Sequence, residues 1–169
     1  NDKGTLTVNN STITGNSATN GGGIFTIFEE SALTVNNTNF SNNSAVGGGG
    51  GIYVMNGFAT VNHSTFSGHS AYDGAGIFSE MGTLTVNNSA FSNNTTNGNG
   101  GGIFSFGIYA MLTVNNSTLN NNTTNGYGGG IRHDGPLYLI NSTLSGNTAY
   151  NQGGGIYSYS SSAVATISN

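Results

Sequence analysis

Two acidic residues, Glu80 and Asp134, are the first candidates for chemistry, because they hold equivalent positions in two repeated segments of the chain. Paired carboxylates carry out acid–base catalysis in enzymes that cleave glycosidic bonds. In a stacked structure these two positions lie about 10 Å apart, with Phe106 at the same position of the repeat between them. We expect two solvated charges and no catalytic residue, with a polysaccharide-active enzyme as the alternative.

Two histidines, His63 and His69, occupy positions where the other repeats carry asparagine. Neutral imidazole both donates and accepts hydrogen bonds, so it can replace an amide in a stacked column. The alternatives are a metal-binding pair or a pH-sensitive turn. We predict no metal site and no cofactor, and we expect His133, beside Arg132, to lie on the surface.

Aromatic residues follow an isoleucine in most repeats and face away from it by strand parity. An exposed aromatic strip commonly marks a contact surface, and sugar rings or a second rod would fit it. The alternative is that the rings only stiffen the rod or are covered by loops. The candidate contact residues are Phe25, Tyr53, Phe78, Phe104, Arg132 and Tyr157.

The elements that position these residues come from an internal repeat. The segment Leu6-Thr7-Val8-Asn9-Asn10 recurs at intervals of 25–28 residues, and such periodicity indicates a repeat architecture. Each repeat holds three short segments of alternating apolar and polar residues, which is the pattern of β-strands. Thr and Ser flank the second segment, an arrangement that ice-binding solenoids use, but Asn39, Ala90 and Asn120 interrupt it.

This pattern predicts an all-β fold, a right-handed parallel β-helix with three strands per coil and about six coils of 25–28 residues. We expect residues 1–169 to form a single solenoid domain, uncapped at both ends. Glycine and asparagine at the corners supply the positive φ angles that tight turns require. Three inward columns fill the core: Leu6, Leu33, Leu84, Leu112 and Leu137; Ile13, Phe40, Phe66, Phe91, Leu119 and Leu144; Ile24, Ile52, Ile77, Ile103, Ile131 and Ile156.

Two further columns consist of amide or imidazole side chains at the corners. Stacked amides can donate to one neighbouring coil and accept from the other, so we expect a structural ladder at each column. The first comprises Asn10, Asn37, His63, Asn88, Asn116 and Asn141, and the second Asn16, Asn43, His69, Asn94, Asn122 and Asn147.

The composition excludes several classes of protein. Charged residues make up 5% of the chain, the net charge is −4 and cysteine is absent. Nucleic-acid binding requires many more basic residues, and disulfide scaffolds and Cys-based zinc sites require cysteine. No apolar run is long enough for a membrane helix, so we expect no membrane insertion.

The pairing of Gly-Gly-x-Ile with Phe-x-x-Asn, as at 40–43 and 91–94, resembles the repeat of chlamydial polymorphic outer-membrane proteins. The resemblance extends over the whole chain and implies a surface-exposed, often adhesive passenger without catalysis.

We therefore expect a non-enzymatic extracellular structural protein, a rigid rod that associates head to tail into a surface filament. An adhesin or glycan-binding passenger, with a host surface or glycan as its partner, is the alternative. A polysaccharide-active enzyme and an ice-binding protein are the remaining alternatives.

Overall fold

The computed structural model describes residues 4–27, 31–159 and 164–168. In these residues the chain winds as a parallel β-solenoid in which each strand pairs with its equivalents in the coils above and below. The register places like over like: Val8 pairs with Val35, which in turn pairs with Val61. The predicted all-β solenoid is confirmed; its right-handed winding stays a prediction.

The strands are short and follow one another in a fixed order. In chain order they are β1 (Thr5–Asn9), β2 (Thr12–Thr14), β3 (Ser17–Ala18), β4 (Ile24–Ile27), β5 (Ala32–Asn36), β6 (Asn39–Ser41), β7 (Ser44–Ala45), β8 (Ile52–Met55), β9 (Phe58–Asn62), β10 (Thr65–Ser67), β11 (Ser70–Ala71) and β12 (Ile77–Glu80). They continue with β13 (Thr83–Asn87), β14 (Ala90–Ser92), β15 (Thr95–Thr96), β16 (Ile103–Phe106), β17 (Met111–Asn115), β18 (Thr118–Asn120), β19 (Thr123–Thr124), β20 (Ile131–His133), β21 (Leu137–Ile140), β22 (Thr143–Ser145), β23 (Thr148–Ala149), β24 (Ile156–Ser158) and β25 (Ala165–Ser168).

Four sheets run along the rod, and we number them in the order in which each coil enters them. The first sheet is β1-β5-β9-β13-β17-β21-β25 and the second is β2-β6-β10-β14-β18-β22. The third is β3-β7-β11-β15-β19-β23 and the fourth is β4-β8-β12-β16-β20-β24. The expectation of three strands per coil is thus wrong by one. The added strands contain two residues each, too few to show an alternating pattern in the sequence.

The three predicted apolar columns form one continuous core. Phe66 is fully buried between Phe40 and Phe91, with 4.6 Å between ring centroids on either side and nearly parallel rings. Burying a side chain of this size contributes roughly 1.5–3 kcal/mol. Because each side chain is packed by its equivalents in the next coils, every coil carries an apolar residue at this position; Ile13, Leu119 and Leu144 complete the column.

Glycine is required at the corner before the fourth sheet because successive coils approach closely there. A Cβ on Gly51 would lie 2.5 Å from the carbonyl oxygen of Gly76, and a Cβ on Gly76 would lie 2.5 Å from that of Gly102. Any side chain would force the coils apart. This corner brings the chain into the fourth sheet, whose outward face carries the candidate site.

Candidate functional site

The second predicted amide column forms a hydrogen-bonded ladder. Buried Asn94 donates through Nδ2 to Oδ1 of Asn122 at 2.8 Å and to the carbonyl oxygen of Phe66 at 3.1 Å. Its Oδ1 accepts the backbone N–H of His69 at 3.0 Å. Asn122 makes the equivalent bonds to Asn147. This column therefore stabilises the turn after the second sheet and is structural.

The first predicted column is not a ladder. Its residues are exposed and have positive φ angles, for example 49° at Asn10 and 50° at Asn88, and no side-chain hydrogen bond joins them in the described part of the chain. The ladder lies one residue earlier: Asn36 Nδ2 donates to Asn9 Oδ1 at 2.8 Å. The bonded residues are Asn9, Asn36, Asn62, Asn87 and Asn115.

The reason for this shift is that the left-handed residue turns the chain, so its side chain points into solvent. The residue before it still belongs to the strand and stacks on its equivalents. The sequence does not distinguish the two positions, because Asn62 precedes His63 in one coil whereas Ile140 precedes Asn141 in another.

The two histidines of the predicted columns, His63 and His69, differ in environment. His63 is exposed, whereas His69 is only 1% exposed and its Nδ1 accepts the backbone N–H of Asn43 at 3.0 Å. Burial lowers the pKa of His69 to about 4, although backbone hydrogen bonds to Asn43 and Phe40 oppose the shift. Among the described residues no group of three or more His, Cys, Asp or Glu side chains is arranged to hold a metal ion.

His133 is not a surface residue, contrary to the expectation from its neighbours. It is fully buried, and its Nδ1 lies 2.8 Å from the carbonyl oxygen of Gly135. Strand parity accounts for this position, because His133 alternates with Arg132 in β20 and pairs with the inward Ser105. Burial lowers the pKa of this imidazole.

The aromatic column of the fourth sheet exists, but the expected exposure is wrong at its centre. Tyr53, Phe78 and Phe104 are 4%, 9% and 3% exposed. Their rings stack along the rod, with centroids 4.9 Å apart between Tyr53 and Phe78 and 5.1 Å apart between Phe78 and Phe104. Phe25, Arg132 and Tyr157 at the two ends are half-buried.

Two neighbours cover the central rings. The glycine-rich corner folds over Phe78 so closely that a Cβ on Gly48 would collide with the ring. The guanidinium of Arg132 lies over Phe104, 4.5 Å from the ring centroid. The sequence could not show either contact, because both depend on how the corner folds back against the outer face of the sheet.

A lateral cleft of about 270 Å³ opens on this face beside the covered rings. It spans the three central coils, with aromatic side chains on one part of its lining and polar side chains on the other. The lining residues are Asp73, Phe78, Glu80, Asn99, Phe104, Phe106 and Arg132. The sequence reasoning did not single out Asp73 or Asn99, because they lie in corners with no strand pattern.

The charged side chains of the described residues converge on this lateral cleft. In the described part of the chain, the side chains of Asp, Glu, Lys and Arg are those of Asp73, Glu80, Arg132 and Asp134. Three of them line the cleft, and Asp134 contacts Arg132 with 3.3 Å between Oδ1 and Nε. Within residues 4–27, 31–159 and 164–168, this concentration of charged side chains in one concave surface indicates a binding site.

Asp73 is held at the rim of the lateral cleft by its neighbour in the next coil. Its Oδ1 accepts the backbone N–H of Asn99 at 2.7 Å and the Nδ2 of the same residue at 3.0 Å. Burial raises the pKa of Asp73, while the hydrogen bonds from Asn99 and the positive charge of Arg132 oppose the shift. Asp73 is thus a fixed carboxylate that is partly removed from water.

Glu80 and Asp134 do not form a carboxylate pair. Glu80 accepts a hydrogen bond from the hydroxyl of Tyr53, and burial together with this contact raises the pKa of the tyrosine. The expectation of two solvated charges is also wrong, because the side chain of Asp134 is 4% exposed and paired with Arg132. Phe106, 40% exposed, occupies the strand position next to Glu80.

An apolar depression of about 500 Å³ adjoins the lateral cleft and shares Phe106 with it. Met81, Ile108 and Tyr109 form most of its surface and are all more than half exposed. These residues belong to the connections from the fourth sheet back to the first.

Three segments of the chain, 37–55, 88–105 and 141–159, match the Chlamydia polymorphic membrane protein repeat. Each runs from the corner after the first sheet into the fourth sheet, so the predicted resemblance is confirmed. The chain has no significant match among curated proteins or among solved structures. In the described ranges the structure contains no helix long and apolar enough to cross a membrane.

Proposed function

We propose that this chain is a non-enzymatic, surface-exposed rod that binds a glycan in the lateral cleft of the fourth sheet. The observation that carries the proposal is the convergence of Asp73, Glu80 and Arg132 on a concave surface that is also lined by aromatic rings. The outward positions of the second sheet carry mostly Thr, Ser and Asn, which suits a rod that presents this cleft.

The repeat matches support the surface location. Their description names a polymorphic membrane protein of Chlamydia, and a stacked solenoid fits a surface-exposed repeat protein. An extended solenoid also displays its loops and lateral faces to partners along its length.

The chemistry of the lateral cleft fits a sugar. A pyranose presents hydroxyl groups at its edge and C–H groups on its faces, so its binding sites combine polar side chains with aromatic rings. Asp73 and Glu80 supply acceptors, Asn99 supplies an amide, and the exposed ring of Phe106 supplies an apolar surface.

The state of the carboxylates supports binding rather than catalysis. A glycosidase needs two carboxyl groups that face one another across the scissile bond. Here Glu80 is bonded to Tyr53, and Asp73 is bonded to Asn99 in the neighbouring coil. Both are positioned by the scaffold as acceptors.

The decisive experiment compares two exposed phenylalanines. We expect Phe106→Ala to abolish retention of the chain on a glycan array, because the ring lines the cleft. Phe58→Ala is the matched control, since Phe58 is 58% exposed but begins β9 on the first sheet. The proposal would be contradicted if neither the unsubstituted chain nor the control were retained on the array. It would also be contradicted if the two variants were retained equally. Tyr53 and Phe104 are unsuitable for this test because they are buried.

Head-to-tail association into filaments is a separate proposal. It is supported by the low fraction of charged residues, 5%, which leaves little repulsion between copies, and by sheets in which each strand pairs with its equivalents in the neighbouring coils. Electron microscopy of the purified chain should show thin fibres, and dispersed single rods under all conditions would overturn it.

A further inference from the structure

We infer that the lateral cleft selects amine-bearing sugars over their neutral and acidic counterparts. This inference rests on the proposed glycan binding and concerns the class of sugar. It follows from the balance of positive and negative side chains at the cleft.

The positive charge at the lateral cleft is offset by a neighbouring carboxylate. Arg132 pairs with Asp134 at 3.3 Å, and the two side chains are 12% and 4% exposed. The guanidinium also lies over Phe104 at 4.5 Å and within 5.1 Å of the ring centroid of Tyr159. The contact with Asp134 uses only Nε, but Asp134 offsets the positive charge, so Asp73 and Glu80 determine the sign of the cleft.

The two remaining charges, Asp73 and Glu80, are both negative. Each uses one oxygen within the protein: Asp73 Oδ1 accepts from Asn99 and Glu80 Oε2 accepts from Tyr53. Neither Asp73 Oδ2 nor Glu80 Oε1 has a hydrogen bond to the described residues. The cleft therefore presents two carboxylate oxygens and a net negative charge.

The aromatic lining favours a cation as well. Phe106 lies 5.7 Å from Phe104 and 6.4 Å from Phe78 between ring centroids, and the rings are inclined to one another. Ring faces attract ammonium groups, and the attraction is larger where water is excluded. An ammonium in the cleft would meet the exposed ring of Phe106 and the carboxylates of Asp73 and Glu80, which line the same cleft.

Burial makes the carboxylate at Asp73 receptive to such a partner. Desolvation raises the pKa of this group, which means that its charged form lacks stabilisation. A ligand ammonium supplies that stabilisation, whereas a ligand carboxylate adds a like charge. A uronic acid is therefore disfavoured at the same subsite.

The test uses three tetrasaccharides: β-1,4-linked glucosamine, its fully N-acetylated form, and α-1,4-linked galacturonate. Calorimetric titration at a pH where the glucosamine is protonated should give at least tenfold tighter binding of glucosamine than of the acetylated form, and no binding of galacturonate. Equal or tighter binding of the acetylated form or of galacturonate would overturn the inference. Binding of none of the three, on an array that also retains no other glycan, would overturn the proposed function itself.

Two variants with the same net charge separate the cleft from general attraction. Asp73→Asn preserves the shape and the bonds from Asn99, and we expect it to remove most of the preference for glucosamine. Thr118→Lys adds one positive charge on the exposed outer face of the second sheet and should leave the preference intact. An equal loss in both variants would show that bulk charge is responsible and would overturn the inference. Circular dichroism and thermal midpoints verify that both variants fold.

Discussion

The inward column of the second sheet and the outward column of the fourth sheet follow opposite rules. Inside, Phe40, Phe66 and Phe91 repeat with parallel rings 4.6 Å apart. Outside, the position that carries Met55 in one coil carries Glu80 in the next and Phe106 in the one after. The inner column is apolar in every coil, with Ile13, Leu119 and Leu144 completing it, because each side chain is packed by its equivalents in the neighbouring coils. The outer column has no such constraint, and the binding chemistry is found where it varies.

The first prediction compares the loss of an aromatic ring in each of these two regions. Phe66→Ala should lower the free energy of unfolding by about 3–5 kcal/mol, because it leaves a cavity between two stacked rings. Phe106→Ala should lower it by less than about 1 kcal/mol, since the ring is 40% exposed. Urea denaturation followed by circular dichroism measures both. Similar losses at the two sites would break the distinction between core and cleft.

The second prediction concerns the buried imidazole in the inner ladder. The pKa of His69 is about 4 in the folded chain and about 6.5 when unfolded. The unfolded state therefore binds the proton more readily, so the stability is complete above pH 6.5 and declines as the pH falls towards 4. The decline attributable to this group is about 3 kcal/mol, to which buried His133 adds a change of the same sign.

His69→Asn isolates that contribution because it restores the amide found at Asn94. The free energy of unfolding, measured by denaturation between pH 7 and pH 4, should depend less on pH for this variant than for the unsubstituted chain. His63→Asn, at an exposed position, should follow the unsubstituted chain. If His69→Asn left the pH dependence of the free energy of unfolding unchanged, the buried imidazole would not be the source of the decline in stability.

The third and smallest prediction tests the ladder itself. Asn94→Ala should cost about 1–3 kcal/mol, because it leaves the backbone N–H of His69 without an acceptor in the interior. Asn120→Ala, half-exposed on the outward face of β18, should change stability by no more than about 0.5 kcal/mol. Thermal unfolding of the two variants provides the comparison, and a cost at Asn120 as large as that at Asn94 would contradict it.

The sequence predicted the solenoid well because its core columns depend on strand parity and coil length alone. Ile77 and Ile103 were placed in one column from spacing, and they pair in the structure. The outer ladder was placed one residue late, at Asn10 instead of Asn9, since an Asn-Asn pair does not itself show which residue turns the chain.

The candidate site was less predictable, because it depends on contacts between elements that have no common pattern. Asp73 lies in a corner of the third coil and Asn99 in a corner of the fourth, and only their stacking brings them together. The covering of Phe104 by Arg132 likewise requires the register of β16 and β20. Parity indicated which residues face outward, but not what lies over them.

The most direct test of the stacked architecture is the set of nuclear Overhauser contacts among the valine methyl groups of the first sheet. Val35, Val61 and Val86 pair in successive coils, with about 4.8 Å between neighbouring strands. We predict contacts of Val61 with both Val35 and Val86, and no contact between Val35 and Val86. A Val61 that contacts neither neighbour would contradict the stacking on which every assigned face depends.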